Sequence, residues 1–386
     1  MLNFQMDNVL NLHGLIGGSK HTGGNTKLGL FQSNRNDSGV PKHVIKSFID
    51  DSKHNMAIGK NGIIYYDFTT PAVYWLKFGS STPVRINEIK DFDWSFDPCQ
   101  MYPTVNGFLG IYKDDSSSKE TASYTMIEYT DNGELSKIHH YSIPQDANGS
   151  SGAYINKVVQ DPITEQFVFL FQSYATDAMY LLVMDKTLTY KIKNTFVEKQ
   201  YSINTKFAEY MAYDGWLYGR NKANNSLYCK MKYNTSDDVT QSFASFSTRE
   251  PQTVVCDPQK NTAFDISDGN IFNLSSMSRL QIAPKLHFKS SGDENPVCMN
   301  FTPNPQNGLI IAGKNWDLFE ITFRVPNLGG RSYVYPSVRL MTEVASAYNW
   351  DGSRPIISYD SKTMLMIYYD SDRNGVTSSN SYVFRR

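Results

Sequence analysis

The sequence predicts an all-β chain, a β-propeller of six to seven four-stranded antiparallel blades. Three features predict it. The stretch 157–193 contains four runs rich in β-branched, aromatic and aliphatic residues (157–160, 167–172, 180–184 and 188–193), separated by the turn-forming pieces DPITEQ, SYATDA and DKT. Its two middle runs, FVFLFQ and YLLVM, are continuously apolar, as expected of strands covered on both faces, so this sheet needs similar sheets on either side. The same unit recurs loosely at 44–68, 96–131, 210–233, 254–274, 297–323 and 356–384. That makes seven units at a spacing of roughly 45–60 residues, the length of propeller repeats. Nine Asn-Gly or Asp-Gly pairs, among them Asn61-Gly62, Asn132-Gly133, Asp214-Gly215 and Asn307-Gly308, mark hairpin turns.

In chain order, residues 1–39 form a leader and 40–386 the propeller domain. The leader is rich in Gly, Asn and Ser over 17–39, around one apolar island, Lys27–Phe31. The last unit runs out of chain after three strands, Ile356–Tyr359, Met364–Tyr369 and Ser381–Phe384, so the ring needs a fourth strand from elsewhere. The island has the length of one strand, and the expectation is that it closes the ring against that open edge. The best helix candidate is 338–347, VRLMTEVASA, apolar at 340, 341, 344 and 345.

Composition bounds the function. A chain of 386 residues, 40% hydrophobic and 13% aromatic, can bury a large core. Its formal charge of −1 comes with Lys and Arg scattered singly, which argues against nucleic-acid or anionic-membrane binding. No run is long and apolar enough for a membrane span, and the first residues lack the basic and apolar regions of a secretory signal. Cys99, Cys229, Cys256 and Cys298 form no CxxC pair and no zinc spacing, so they read as buried free thiols; the near-equivalent places of Cys256 and Cys298 in successive units leave an inter-blade bridge open.

Propellers keep their function in loops. Phe92-Asp93-Trp94-Ser95-Phe96-Asp97 puts aromatics and carboxylates between the first two units, and Asn349-Trp350-Asp351-Gly352-Ser353-Arg354 does so before the seventh. A flat aromatic ring can cover the apolar face of a sugar while neighbouring polar groups hydrogen-bond its hydroxyls. Trp94, Asp93, Asp97, Trp350, Asp351 and Arg354 are therefore the candidate ligand-binding residues, whereas Trp216 and Trp316 read as packing between blades. Asp93, Asp97, Glu343 and Asp351 are the carboxylates a glycosidase reading would need, but no nucleophile elbow or hydrolase signature accompanies them, and no catalytic residue is assigned. Asp370-Ser371-Asp372-Arg373-Asn374-Gly375 has the opening of a calcium loop. Its twelfth position is Ser381 where Glu is expected and strands flank it, so it reads first as a hairpin turn and calcium as the alternative; no other cofactor is expected.

The repeats lack the Gly-His and Trp-Asp signature of WD40 proteins and the double glycine of kelch repeats. Their pattern, Asp-Pro followed by a hydrophobic run and then an aromatic run near Asp, resembles degenerate propeller repeats of many unrelated proteins and implies a fold and no particular activity. As a loosely repeated whole without a secretory signal or cofactor motif, rich in Asn, Tyr and Ser and with a Gly/Asn-rich leader, the chain resembles the propeller domains of bacteriophage tail nozzles and receptor-binding proteins. That resemblance implies a binding and structural protein without enzymatic activity, contacting other virion or tail subunits and host-surface glycan. It also implies a homo-oligomer located in the virion. The rival classes are a glycoside hydrolase and a lectin or bacteriocin-like propeller exported without its own signal.

Overall fold

The computed structural model describes the strands between His43 and Arg385 and many of the tight turns within sheets; residues outside this description include 1–42, 91–99, 145–153, 204–210, 283–296, 301–307, 343–355 and 372–376. Side chains are described only within residues 56–282.

The chain enters on β1 (His43–Lys46) and then builds blade after blade. Blade 1 is β2 (Met56–Ile58), β3 (Gly62–Asp67), β4 (Ala72–Lys77) and β5 (Val84–Glu88). Blade 2 is β6 (Gln100–Thr104), β7 (Gly107–Lys113), β8 (Thr121–Thr130) and β9 (Leu135–Pro144). Blade 3 is β10 (Tyr154–Gln160), β11 (Phe167–Gln172), β12 (Met179–Met184) and β13 (Tyr190–Val197). Blade 4 is β14 (Met211–Tyr213), β15 (Trp216–Arg220), β16 (Leu227–Lys232) and β17 (Ala244–Ser247). Blade 5 is β18 (Val254–Asp257), β19 (Thr262–Asp265), β20 (Asn270–Asn273) and β21 (Ser278–Ile282). Blade 6 is β22 (Val297–Asn300), β23 (Gly308–Ala312), β24 (Asp317–Arg324) and β27 (Tyr335–Thr342), with a small hairpin, β25 (Asn327–Leu328) and β26 (Arg331–Ser332), inserted before its last strand. Blade 7 is β28 (Ile356–Asp360), β29 (Thr363–Ser371) and β30 (Thr377–Arg385), completed by β1. Among the described residues this makes seven four-stranded antiparallel sheets, and the chain is a β-propeller.

Each blade faces a neighbour on both sides, and this explains the uninterrupted apolar runs. In β11, Phe167, Phe169 and Phe171 join the cluster shared with blade 2, while Val168 and Leu170 join the cluster shared with blade 4. In β12, Leu182 and Met184 take the first side and Leu181 and Val183 the second. Strand alternation thus sends successive residues into two different seams. Burying a side chain such as Phe169, which is fully enclosed, stabilises by about 2–3 kcal/mol.

The ring closes through β1, whose His43, Val44, Ile45 and Lys46 pair antiparallel with Val383, Tyr382, Ser381 and Asn380 of β30. The last unit does supply three strands and an amino-terminal segment the fourth, but that segment is His43–Lys46. The island Lys27–Phe31 lies outside the described residues. Residues 44–46, read in sequence as the start of the first unit, therefore belong to the last blade. The helix expected over 338–347 is corrected as well: its first five positions lie in β27, paired from Val338 with Ile321 to Thr342 with Leu318 across a register shift. The alternating edge of β24 offers a partner to every other backbone group, and this ladder outweighs a short helical spacing of apolar residues.

Strand direction divides the loops between two ends. Within a blade the first and third strands run one way and the second and fourth the other. All first strands therefore begin at one end, the entry end, where fourth strands finish and second strands turn into third. First-to-second and third-to-fourth turns gather at the opposite, far end.

Candidate functional site

The predicted ligand residues fall in sequence on two inter-blade connections whose flanking strands finish and begin at the entry end. Asp93, Trp94 and Asp97 lie between β5, which ends at Glu88, and β6, which begins at Gln100. Trp350, Asp351 and Arg354, with Glu343, lie between β27 and β28. All seven are outside the described residues, as is Trp316 between β23 and β24. Of the calcium-loop residues, Asp370 is in β29 opposite Ser378 in β30, while Asp372 and Asn374 lie outside the described residues in the connection between these two paired strands. Among the described residues no three His, Cys, Asp or Glu side chains gather as a metal site.

Polar chemistry that the sequence reading missed is concentrated at the far end, where neighbouring blades are latched together. Gln160 and Asp161 follow one another at the end of β10 and reach in opposite directions, as successive strand residues must. Gln160 Oε1 accepts from the Val105 amide of blade 2 at 2.7 Å, and its Nε2 donates to the Glu165 carbonyl at 3.0 Å. Asp161, wholly buried, turns to blade 4: Oδ2 accepts from the Gly215 amide at 2.7 Å and the Tyr233 hydroxyl at 2.5 Å. Its Oδ1 accepts from the Ile163 and Thr164 amides at 2.8 and 3.2 Å. Burial first, then the neighbouring Asp161 carboxylate, pushes the Tyr233 phenol well above its ordinary range, so it remains a donor.

Each of the other described seams on this end has its own fastening. Asn61 Nδ2 of blade 1 donates to Asn132 Oδ1 of blade 2 at 3.1 Å. Lys230 of blade 4 donates to the Leu274 and Ser275 carbonyls of blade 5 at 2.7 and 2.6 Å, with its ammonium 4.6 Å from the centroid of the Trp216 ring. Burial lowers the Lys230 pKa. Trp216 itself is half-buried against the cluster joining blades 4 and 5, which agrees with its reading as a packing residue.

The repeat equivalent of Asp161 is Asp257: Val254-Val255-Cys256-Asp257-Pro258 echoes Val158-Val159-Gln160-Asp161-Pro162. Asp257 Oδ1 accepts from the Lys260 amide at 3.2 Å, capping a single 3₁₀ turn, and Oδ2 lies 3.2 Å from the Lys260 ammonium. Cys229 and Cys256 are buried free thiols, the latter donating to the Tyr228 hydroxyl at 3.0 Å, so Cys256 makes no bridge to Cys298. Burial pushes the Cys256 thiol up to about 12, which makes it a poor nucleophile.

Two imidazoles on the outer hairpin of blade 2 were also missed. His139 Nε2 lies 2.6 Å from Glu128 Oε1, across the β8–β9 ladder. Thr125 donates its single hydroxyl hydrogen to Asp114 at 2.8 Å, so at 2.9 Å it accepts from His140 Nδ1, which must carry a proton. The signal available in sequence was the His-His pair on one strand, whose members face opposite sides of the sheet. Glu128 meets an imidazole directly, Asp114 reaches one through the Thr125 hydroxyl, and Asp161 at the far end holds two amides of its own turn with an amide and a hydroxyl of blade 4. A catalytic pair would instead need two carboxyl groups converging on open space.

No family model matches the chain, and no curated protein matches it. Solved structures similar to it include Hsv2 from Kluyvelomyces marxianus, at 10% identity and a TM-score of 0.42, covering 85% of this chain and 96% of that one. An ACO/RPE65 chimera is 9% identical with a TM-score of 0.41, covering 84% of this chain and 76% of the other. A Synechocystis ACO variant is 11% identical with a TM-score of 0.39, covering 82% and 76%. Likeness at this level bears on no activity; the fold follows from this chain's own sheet order, a ring of seven blades among the described residues.

Proposed function

We propose that this propeller binds and assembles without catalysing a reaction, and that its ligand is a glycan of a host-cell surface held at the entry end. The setting proposed is a bacteriophage tail, with neighbouring tail subunits or further copies of the chain as partners. One observation supports the reading above the rest: β5 and β27 finish, and β6 and β28 begin, at the same end of the ring. The connections that carry Trp94 and Trp350 are thus attached at one end and flank the neighbouring pair formed by blades 7 and 1. Stacking rings beside Asp93, Asp97, Asp351 and Arg354 would supply both the apolar and the hydrogen-bonding half of a sugar site.

The test is binding to host cells and to immobilised surface glycan. Trp350→Ala and Trp94→Ala are expected to lower glycan affinity at least tenfold while the melting temperature stays within about 2 °C, because loop residues contribute little to the core. Unchanged affinity in both variants would move the site elsewhere. Release of reducing sugar from the same glycan would replace the binding reading by a hydrolase, and absence of the chain from purified particles would remove the tail setting.

A further inference from the structure

The rim of the seam between blades 1 and 2 is apolar and uncovered. Of the five exposed large hydrophobic residues among those described, three belong to it: Val84 at 61% exposure, Leu135 at 41% and Ile138 at 51%. Register shows that they face one another's blade. Val84 pairs with Trp75, Leu135 with Tyr129 and Ile138 with Ile127, and all three partners are buried in the cluster shared by blades 1 and 2. Ile86 packs half-buried on the same cluster, and Tyr129 donates to Asn87 Oδ1 at 3.0 Å beneath the opening. The result is a groove between two outermost strands, β5 and β9, with a floor of Trp75, Tyr129 and Ile127.

The chain has an occupant to offer. Residues 1–42 precede β1, and β1 is the outermost strand of blade 7, whose β28 and β29 adjoin β2 of blade 1. As a fourth strand β1 starts at the far end, the end at which Val84 and Leu135 open β5 and β9. The leader therefore departs at the rim, at the height of the groove and one blade away from it. Sheets pack about 10 Å apart, and residues 32–42 span up to roughly 35 Å when extended, enough to cross blade 1. With His43–Lys46 closing the ring, the edge of β30 does not call for the apolar island Lys27–Phe31. We propose that Leu28 and Leu30 of the same chain, which share one face of an extended strand, fill this groove, laid along the outer edge of β9.

A Leu30→Cys and Ile138→Cys pair in the full-length chain, treated with a mild oxidant, tests this by peptide mass mapping. The expected product is a disulfide between positions 30 and 138 within one chain, with a yield unchanged on tenfold dilution. A product that is only a linked dimer and disappears on dilution would assign the groove to a second copy, and no 30–138 product would leave the island elsewhere; either overturns the proposal. Independently, Leu28→Asp with Leu30→Asp should speed hydrogen exchange of the β9 amides at least tenfold while β11 exchange is unchanged, which also shows that the propeller remains folded. Unaltered β9 exchange would overturn it equally.

Discussion

At the scale of single residues, the seams depend on buried polar groups with fully assigned partners. Asp161 collects four donors from two blades, so Asp161→Ala leaves the Gly215 amide without this acceptor and the Tyr233 hydroxyl with the Thr164 hydroxyl, 2.9 Å away, in its place. The expected loss is about 3–5 kcal/mol in urea unfolding. Asp257 behaves differently. Burial raises its pKa above the usual carboxylate value, and the Lys260 ammonium offsets this only in part. For an acid whose folded pKa is raised, the folded state keeps the proton longer, so folding is penalised as pH rises from about 4 through the folded pKa, after which the penalty is constant. Asp257→Asn retains an acceptor for the Lys260 amide and escapes that penalty. Its stability relative to the parent should therefore improve between pH 4 and pH 7 in paired denaturation curves; a difference independent of pH would show that the Lys260 pair compensates burial completely.

Turns and strands decide the next scale. Two dipeptides that look alike in sequence form different hairpins. At Asp214-Gly215 both residues have positive φ, 47° and 81°, the two-residue type that matches strand twist. At Asn132-Gly133 only the glycine does, at 75°, with its amide returning to the Thr130 carbonyl at 2.9 Å. Gly133 is fixed twice over, because a Cβ there would meet the Trp75 ring of blade 1 at 2.4 Å. Gly133→Ala should cost about 2–4 kcal/mol through backbone strain and the displaced indole, read as a lower melting temperature. Blade-level strand number was legible because a strand covered on both faces reads as a short continuous apolar run, an outer strand as an alternating one, and turn residues separate the two. The strand at 338–342 was not, since its helical spacing of apolar residues is outweighed only by a ladder partner distant in sequence.

For the whole molecule, the ring is closed by one four-residue strand from the opposite end of the chain, and its stability should show that. A chain beginning at residue 37 keeps β1, whereas one beginning at residue 47 loses it and bares the edge of β30. The second truncation is expected to unfold several kcal/mol more readily than the first and to aggregate, through an open edge that can add another chain. Equal stability of the two would mean that the β1–β30 ladder contributes nothing to closure.

Local pattern by itself determined that this chain is mostly β, that its sheets are four-stranded and stacked face to face, and that the last unit supplies three strands and needs a fourth. Each of these follows from side-chain alternation and turn chemistry, which act over a few residues. The tertiary structure alone decided which segment supplies that strand, which seam each residue of a run such as Phe167–Gln172 enters, and where Gln160, Asp161 and Lys230 find their acceptors and donors. These partners are separated by tens to hundreds of residues, and no local propensity records who will stand opposite whom once the ring has closed.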